Sequence, residues 1–370
     1  MSVTQTQPPV SAEDPAPDGV VRSTFVSTHR RRRRRRRPIL IGVLSAMAAL
    51  LVLAGVGVYL TASALPSKVD RIDDAFDGVV EDQRPTKSAA AKGSLTFMLV
   101  GTDSRDTDGT TGSDAGDPTF RAGAQRSDVQ MMAHISADRT SAAVISIPRD
   151  SWVSIPDHGK MKLNAAYSLG GASLMIRTME QLTGDRIDHI AVVDFYGFKA
   201  IVDAVGGVDL DMAQANTSGS YHFKAGINHL NGNQALAYVR ERHNLPRGDL
   251  DRVQRQQALI RGIMARAGTL NPVSDPVKTY QLVDAGLKSV SVDDRLSNGD
   301  LRSLALSLIG IRGNISFLTA SVTGTGREGD QSVVYLNQPK CDELWAAVRE
   351  DKIVDYVTNH RDQLLPDTPR

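Results

Sequence analysis

The stretch DVQMMAHISADRTSAAVISI, from Asp128 to Ile147, decides the fold class. It holds two apolar segments of strand length, Asp128–Ser136 and Ser141–Ile147, joined by Ala137-Asp138-Arg139-Thr140. This pattern predicts a β-hairpin with Asp138-Arg139 at its tip. If those two residues form the turn, Asp128 lies opposite Arg149 at the open end of the hairpin.

On both sides of the hairpin in the sequence, apolar segments with the spacing of strands alternate with segments that have the spacing of helices. The predicted strands are Ser94–Gly101 (SLTFMLVG), Ile187–Val193, Val208–Met212 and Ile315–Val322, and the predicted helices include Leu174–Leu182, Phe195–Val205 and Leu250–Ala267. Alternating strands and helices predict an α/β fold, and the hairpin inside it makes the central sheet mixed.

The composition is globular, but the charge is unevenly distributed. Of 370 residues, 41% are hydrophobic and 23% charged, which excludes disorder of the whole chain. Residues 1–65 hold nine arginines and three acidic residues and carry +6, whereas the other 34 basic and 39 acidic residues give −5. A nucleic-acid-binding protein would spread basic charge over a folded face, so we predict no nucleic-acid partner. The single Cys341 excludes an intramolecular disulfide and a cysteine zinc site, and is expected to be a packing residue.

The basic charge near the N-terminus precedes an apolar segment. Eight arginines, Arg30 to Arg37, are followed by Ile39–Leu65, which contains no charged residue over 27 positions. About 20 apolar residues are enough to cross a bilayer as a helix. We therefore predict a disordered cytoplasmic basic tail (1–37) and one transmembrane helix (38–65). A stalk or first helix (66–93) and an extracytoplasmic domain (94–370) would follow.

Two other interpretations of this segment stay open. The arginine run resembles a nuclear-targeting or nucleic-acid patch, although such a patch needs no adjacent membrane segment. Ala62-Ser63-Ala64 resembles a signal-peptide cleavage site, but the apolar segment is longer than the ~7–15 residues typical of signal peptides. A single-pass protein of the cell membrane with a cytoplasmic N-terminus is favoured, because positive charge stays on the cytoplasmic side.

Charged residues follow the predicted strands at one edge of the sheet. Ligands of α/β folds bind beyond strand ends, so Asp103, Arg105, Arg126, Asp128 and Arg149 are expected to lie together. Mg²⁺ is often held by one or two carboxylates with substrate phosphates, and Asp103 and Asp128 fit that role. The alternative is that these aspartates only pair with Arg105 and Arg126.

A second basic cluster lies from Tyr238 to Arg261 and begins with the sequence YVRERHNLPRGDLDRVQRQQ. Asp249, Arg252 and Gln256 fall on one face of the helix that follows. From Arg240 to Arg261 the basic residues are all arginines, which suit planar, bidentate recognition of phosphate. A solvated charged face is the alternative.

These segments, in this order, resemble the LytR-CpsA-Psr family of cell-wall phosphotransferases, including its actinobacterial members. The similarity covers about 95–267 and lies in LVGTDSR (Leu99–Arg105), RSDVQM (Arg126–Met131), VISIPRDSWV (Val144–Val153), KLNAAYSLGG (Lys162–Gly171), DFYGFKAIVDAVGGVDL (Asp194–Leu210), GINHLNGNQALAYVRER (Gly226–Arg242) and PRGDLDRVQRQQ (Pro246–Gln257). The loop from Thr107 to Gln125 looks longer than is usual in the family.

The resemblance implies a three-layer α-β-α domain whose apolar interior holds a polyprenyl chain. It further implies transfer of a phospho-glycan from a polyprenyl-pyrophosphate carrier to a peptidoglycan hydroxyl, assisted by Mg²⁺ or Mn²⁺. The implied metal-binding residues are Asp103 and Asp128. The implied pyrophosphate-binding residues are Arg105, Arg126, Arg149, Arg240, Arg242, Arg247, Arg252 and Gln256, and the implied catalytic residues are Arg149, Arg240, Arg242, Asp249 and Arg252.

Two other functions fit the same residues. A metal-dependent pyrophosphatase would hydrolyse the same lipid-linked glycan in the same site. A non-enzymatic, membrane-anchored regulator would use the site only for binding. The sequence does not name the glycan, the length of the prenyl chain or the metal.

Overall fold

The predicted hairpin lies in the middle of a mixed sheet in the computed structural model, which describes residues 69–103, 126–241, 245–270, 275–297, 299–301, 304, 311 and 314–369. The strands are β1 (Asp70–Ile72), β2 (Leu95–Asp103), β3 (Arg126–Ile135), β4 (Ala142–Ser146), β5 (Trp152–Ile155), β6 (Gly159–Lys162), β7 (His189–Asp194), β8 (Val208–Met212), β9 (Asn216–Ser218), β10 (Tyr221–Phe223), β11 (Gly226–Leu230), β12 (Val290–Asp293), β13 (Ile315–Thr319), β14 (Val322–Glu328) and β15 (Gln331–Leu336). The helices are α1 (Leu163–Thr183), α2 (Phe195–Ala204), α3 (Gly232–Arg240), α4 (Asp249–Ala267), α5 (Pro276–Ser289), α6 (Gln338–Arg349) and α7 (Ile353–Asn359).

The central sheet has the strand order β1-β12-β7-β2-β3-β4-β13. The pairs β2–β3, β3–β4 and β7–β12 are antiparallel, whereas β2–β7, β4–β13 and β1–β12 are parallel. Four two-stranded sheets accompany it, among them the hairpins β5–β6 and β14–β15. The mixed α/β class predicted from the hairpin is confirmed.

The hairpin has the register that its sequence predicts. Ile135 pairs with Ala142, and Met131 pairs with Ser146. The loop is closed by a hydrogen bond from the Ser136 N–H to the Ser141 carbonyl at 3.0 Å. At the tip, Arg139 adopts a φ of +59°. Continuing this register places the start of β3 and the end of β4 at the same edge of the sheet.

Alternating side chains of the sheet face two separate cores, as the two-residue period of a strand requires. Phe97 and Leu99 pack on one face under α2 to α5, whereas Met98 and Val100 pack on the other under α1, α6 and α7. The architecture is therefore three-layered. Cys341 lies in the second core, where burial raises the pKa of its thiol to about 11, as expected of a packing residue.

Helix α1 is longer than predicted, beginning at Leu163 instead of Leu174. It has a kink at Gly170 and Gly171, which have non-helical backbone angles, and Gly171 has a φ of +59°. This break interrupts the apolar period, so the sequence pattern revealed only the second half of the helix. The first half begins beside the start of β3 and the segment after β4, where the Asn164 N–H donates to the Arg149 carbonyl at 3.0 Å.

The segment 66–93 was predicted to be a stalk or a first helix, and this is wrong for the residues described there. Asp70–Ile72 form β1, an edge strand parallel to β12. Turns and a short 3₁₀ helix (Glu81–Gln83) follow. Phe76 and Val79 have helical spacing but are buried in the core from turns, so the domain begins before residue 94.

The predicted tail (1–37) and transmembrane helix (38–65) lie outside the described residues. Among the residues that are described, no helix combines the length and the apolar character needed to span a membrane.

Candidate functional site

A largely apolar cleft lies between the first face of the sheet and helices α2, α3 and α4. We call it the apolar cleft. It encloses about 880 Å³, its open mouth included. Its apolar lining includes Leu99, Val129, Met131, Val193, Phe195, Phe198, Ile201, Val239, Leu259 and Ile260. Among the described residues, the polar side chains of this lining are Asp128, Asp194, Arg240, Arg252 and Gln256.

Four charged side chains from three parts of the chain meet at the rim of this cleft. Asp128 lies near the start of β3, Arg149 follows β4, and Asp249 and Arg252 occupy the first turn of α4; we call these four residues the rim cluster. Arg149 Nη1 contacts Asp128 Oδ1, and its Nε lies 3.6 Å from Asp249 Oδ1. Arg252 Nη2 lies 2.5 Å from the same Asp249 oxygen. The hairpin register therefore brings Asp128 and Arg149 together as predicted.

The side chains of the rim cluster are largely removed from solvent, and this burial shifts the pKa values of three of them. Burial raises the pKa of Asp249, although Arg252 and Arg149 act to lower it. Burial acts to lower the pKa of Arg149, but Asp128, Asp249 and Asp150 outweigh it and raise that pKa. For Arg252, burial lowers the pKa against the opposing effect of Asp249. Both arginines still titrate far above neutral pH and are charged there.

Several buried atoms of the rim cluster have no hydrogen-bond partner among the described residues. They are Arg149 Nε, Arg252 Nε, Asp249 Oδ2 and Arg252 Nη2, of which the last forms only the ion pair with Asp249 Oδ1. A buried guanidinium N–H without a partner is costly, so natural proteins rarely keep one without a functional reason. Two such donors at the rim of a cleft are suited to an incoming anion, and planar guanidinium groups match the geometry of phosphate.

Arg240 is held against the wall of the apolar cleft. Its guanidinium carbon lies 3.9 Å from the centroid of the Phe195 ring, a cation–π contact. Phe195 begins α2, and Asp194 caps that helix by accepting a hydrogen bond from the Gly197 N–H at 2.8 Å. The end of β7 and the end of α3 thus place a third arginine at the cleft.

A second, more open cleft borders the rim cluster, and we call it the polar cleft. Its lining includes Arg149 and Asp249 of the rim cluster together with Asp150, Lys162, Asn164, Gln331 and Ser332. Lys162 Nζ lies 3.1 Å from Asp150 Oδ1, and Asp150 Oδ2 lies 3.9 Å from Arg149 Nε. Because the apolar cleft contacts Asp128 and Arg252, the rim cluster forms a charged wall between the two clefts.

The remaining predicted site residues differ in whether the structure places them at a cleft. Gln256 lines the apolar cleft one turn after Arg252. The backbones of Asp103 and Arg126 are paired across β2 and β3, two residues from Asp128. Arg105 and Arg242 lie outside the described residues.

Arg247 is not brought to either cleft. Its side chain is 44% exposed and forms an ion pair of 2.6 Å with Asp251, a fully buried carboxylate. Its Nη2 also donates to Gln254 Oε1 at 3.0 Å. Arg247 therefore stabilises the start of α4. Its exposed ion pair fits the alternative of a solvated charged face better than the role of a phosphate ligand.

Two other arginines of the basic cluster have structural contacts. The Arg255 guanidinium stacks on the Tyr238 ring at 4.4 Å, inside the core. Arg261 Nη2 donates to the carbonyls of Pro366 and Asp367 at 3.1 and 2.6 Å. Some arginines of this run therefore line the apolar cleft, whereas others support α4. Residue type alone does not distinguish the two roles.

Of the two predicted metal ligands, the structure describes the side chain of Asp128 and the backbone of Asp103. The Asp128 carboxylate faces the apolar cleft and is held by Arg149, and strand pairing places the Asp103 backbone nearby. The described residues contain no group of three or more His, Cys, Asp and Glu side chains arranged as a metal site. One or two carboxylates beside an anionic ligand are, however, a donor set that fits Mg²⁺.

Sequence reasoning missed Asp150, Lys162 and Asp194. Asp194 follows the strand β7, so the strand-exit rule that selected Asp103 applied to it equally. Asp150 and Lys162 carried a weaker signal. Asp150 directly follows Arg149, but its pairing with Lys162 depends on the β5–β6 hairpin.

A family model described as the LytR_cpsA_psr (LytR-CpsA-Psr) family matches residues 61–350. "Cell wall biosynthesis protein LcpA" of Corynebacterium glutamicum is 34% identical over 280 residues, which are 66% of this chain and 54% of that protein. The match therefore spans about half of that relative. "Probable cell wall biosynthesis protein LcpB" of the same organism is 30% identical, over 83% of this chain and 72% of its own length.

Firmicute proteins show similar levels of identity. "Polyisoprenyl-teichoic acid--peptidoglycan teichoic acid transferase TagU" of Enterococcus faecalis is 30% identical over 70% of this chain and 80% of its own. Among solved structures, B. subtilis TagV has a TM-score of 0.56 at 25% identity, covering 70% of this chain and 98% of that one. A structure titled "TagT bound to LI-WTA" has a TM-score of 0.55 at 23% identity, which supports the fold alone.

Proposed function

Because the chain belongs to the LytR-CpsA-Psr family, we propose that it transfers a phospho-glycopolymer from a polyprenyl-pyrophosphate carrier to a peptidoglycan hydroxyl. The observation that carries this proposal is the position of the rim cluster between two unlike clefts. One cleft is apolar and suits a hydrocarbon chain, and the other is polar and open to solvent. A reaction between a lipid-linked donor and a carbohydrate acceptor needs both.

The apolar cleft is proposed to hold the first part of the prenyl chain. Burial of hydrocarbon against Leu99, Ile201 and Leu259 contributes roughly 25 cal/mol per Å² of apolar surface removed from water. The pyrophosphate would then lie at the rim, where Arg149, Arg240 and Arg252 converge. The unpartnered Nε atoms of Arg149 and Arg252 would donate to its oxygens.

In the proposed transfer, one bond forms and one bond breaks at the glycan-side phosphorus. The acceptor hydroxyl oxygen forms a bond to the glycan-side phosphorus, and the bond from that phosphorus to the bridging oxygen breaks. The bridging oxygen leaves with the electron pair as polyprenyl phosphate. Charge developing on the leaving phosphate is stabilised by the arginines, which are fixed in place before the reaction.

Asp249 is proposed to accept the proton of the acceptor hydroxyl. It borders the polar cleft, and its Oδ2 atom has no hydrogen-bond partner among the described residues. Burial raises its pKa, which makes it a better proton acceptor than an ordinary aspartate. Asp103 is the alternative, but a carboxylate that holds a metal ion is a weak base.

Asp128 and Asp103 are proposed to hold Mg²⁺ or Mn²⁺. When bound, the ion would neutralise negative charge on the pyrophosphate. Attachment of the chain to the cell membrane by residues 38–65, with the domain on the outer side, also belongs to this proposal. It rests on the arginine run and the uncharged segment that follows it.

The lipid part of the proposal is tested by filling the apolar cleft. Ile260 lines that cleft and is only partly buried, so Ile260→Trp should occupy prenyl space without disrupting the core. Ile227→Trp is the matched control, because Ile227 is 67% exposed on β11. We expect the polyprenyl lipid that co-purifies with the chain, measured by mass spectrometry, to decrease only in Ile260→Trp. Equal lipid content in the two variants would contradict the assignment of this cleft.

Hydrolysis of the same donor is the second candidate, and the openness of the polar cleft to water favours it. The two reactions differ in their products. A pyrophosphatase releases free phospho-glycan at the same rate with or without peptidoglycan, whereas a transferase releases polyprenyl phosphate faster when the acceptor is present.

A further inference from the structure

A third cleft, lined by residues of the hairpins β5–β6 and β14–β15, has two aromatic side chains in its wall. We call it the aromatic cleft. Its lining includes Trp152, Tyr335, Ser154, Lys160, Glu328 and Gln338. Ser154, Lys160 and Gln338 are exposed, while Trp152, Glu328 and Tyr335 are half-buried. The proposed reaction does not use any of these residues.

The ring of Tyr335 is fixed in place by its own hairpin. A Cβ atom at Gly326, on the neighbouring strand β14, would lie 2.5 Å from Tyr335 Cε2. Glycine therefore lets the ring lie directly over the backbone. The hydroxyl donates to Glu328 Oε1 at 2.9 Å, which holds the far end of the ring. An aromatic ring held at both ends presents a preformed surface to a ligand.

The aromatic cleft and the polar cleft are lined by residues of the same two strands. On β15, Gln331 and Ser332 line the polar cleft, and Tyr335 lines the aromatic cleft. On β6, Lys162 lines the polar cleft and Lys160 the aromatic cleft. About 10 Å of extended strand separates Ser332 from Tyr335, given a rise of about 3.3 Å per residue.

The same strand is attached to the segment that carries Arg149. The Val334 N–H donates to the Asp150 carbonyl at 2.9 Å, and Val334 forms a β-bridge with Ser151. Trp152 directly follows that bridge. The spacing between the aromatic cleft and the rim cluster is therefore set by backbone hydrogen bonds, which makes it a fixed distance from the reacting atoms.

We propose that Trp152 and Tyr335 form a distal subsite for sugar units of the acceptor glycan strand. A sugar ring has an apolar C–H face and a polar edge of hydroxyls, and an aromatic wall beside Lys, Glu, Gln and Ser side chains matches both. This inference rests on the proposed transferase function. The acceptor is the occupant because the leaving lipid fills the apolar cleft, and an in-line attack must come from the polar side of the rim cluster.

Intrinsic fluorescence tests the subsite without any reaction. The chain has two tryptophans, and Trp345 is 1% exposed in the core, so a ligand in the aromatic cleft reports through Trp152. The probe is a preparation of soluble glycan strands from amidase-treated peptidoglycan. We expect a saturable change in the wild-type chain, and about tenfold weaker binding in Tyr335→Ala, since one aromatic contact is lost. Val354→Ala, an exposed position on α7, is the control and should bind as the wild type does.

Transfer kinetics separate this inference from the function on which it rests. In Trp152→Ala and Tyr335→Ala, the ratio of the KM for strands to the KM for a single disaccharide acceptor should rise about tenfold. Tyr335→Phe keeps the ring and should recover most of this loss. An unchanged ratio, or a rise in the donor KM instead, would overturn the distal acceptor subsite while transfer itself stands. If the wild type transfers to no acceptor, the proposed function fails, and the fluorescence titration alone decides whether the subsite binds glycan.

Discussion

Arg149 connects the two sides of the candidate site. It contacts Asp128, lies 3.6 Å from Asp249, and lines the polar cleft. Its side chain is 13% exposed, so its charge acts where solvent screening is weak. A group in this position can hold the pyrophosphate and also set the ionisation of the proposed proton acceptor.

Arg149→Ala should lower the rate of transfer by about 100-fold or more, in the range found when one charge-stabilising donor is removed. Arg247→Ala is the matched control, because this arginine pairs with Asp251 at the start of α4 and lies outside both clefts. The comparison is a transfer assay with a polyprenyl-pyrophosphate glycan, at equal folded protein as judged by circular dichroism. Equal losses in both variants would contradict the role of Arg149, because an arginine outside the clefts would then matter as much.

Asp185 shows a different consequence of burial, away from the clefts. It lies just after α1 with one carboxylate oxygen unpaired among the described residues, and burial raises its pKa to about 8 despite Arg349 nearby. The folded state therefore holds a proton that the unfolded state releases near pH 4. Between these two values the folded state binds more protons, so stability decreases as pH rises.

Asp185→Asn should remove this pH dependence. The free energy of unfolding of the wild-type chain should decrease between pH 5 and 7 by about 1.4 kcal/mol per pH unit relative to the variant. Urea unfolding at both pH values measures the difference. Parallel pH profiles for the two proteins would mean that Asp185 is ionised in the folded state.

At the scale of elements, the hairpin β3–β4 and the helix α1 differ in how far the sequence predicts them. The register of the hairpin follows from its turn, because pairing is local, and it correctly joined Asp128 to Arg149. The first half of α1 was not predicted, because the kink at Gly170-Gly171 breaks the apolar period. Yet that half contributes Asn164 and Ser168 to the polar cleft.

Gly171→Ala tests whether the kink is required. The φ of +59° with a ψ of −147° is accessible almost only to glycine, so the substitution should cost about 1–3 kcal/mol of stability. Gly299→Ala is the control, because no positive φ applies there and, among the described residues, the new methyl group would contact only Ser297, at an ordinary van der Waals distance. Denaturant unfolding of both variants measures the costs. A neutral Gly171→Ala would show that α1 can straighten.

At the scale of the whole molecule, the sequence did not predict that a distant strand contributes Gln331 and Ser332 to the polar cleft. β15 reaches the site through backbone contacts with Asp150 and Ser151, and no local sequence pattern near residues 331–336 predicts these contacts. The strands β12 and β13 likewise enter the central sheet from the C-terminal part of the chain. Motif order identified the family and the apolar interior, but it did not reveal the second and third clefts.

The rim cluster separates an apolar side of the candidate site from a polar side. In the proposed function, the lipid-linked donor would enter from the apolar side and the hydroxyl from the polar side, and the arginines between them would hold the phosphates. Residues 66–370 carry a net charge of −5, so attraction of this arginine site for a phosphorylated donor would come from local geometry and not from the charge of the domain as a whole.

The most direct test of this account follows the glycan-side phosphate. The donor is a polyprenyl-pyrophosphate glycan carrying ³²P in that phosphate, incubated with the full chain and purified peptidoglycan. The account predicts that label enters the peptidoglycan and that an equal amount of unlabelled polyprenyl monophosphate appears. Release of the label as free phospho-glycan, with none in the peptidoglycan, would contradict it.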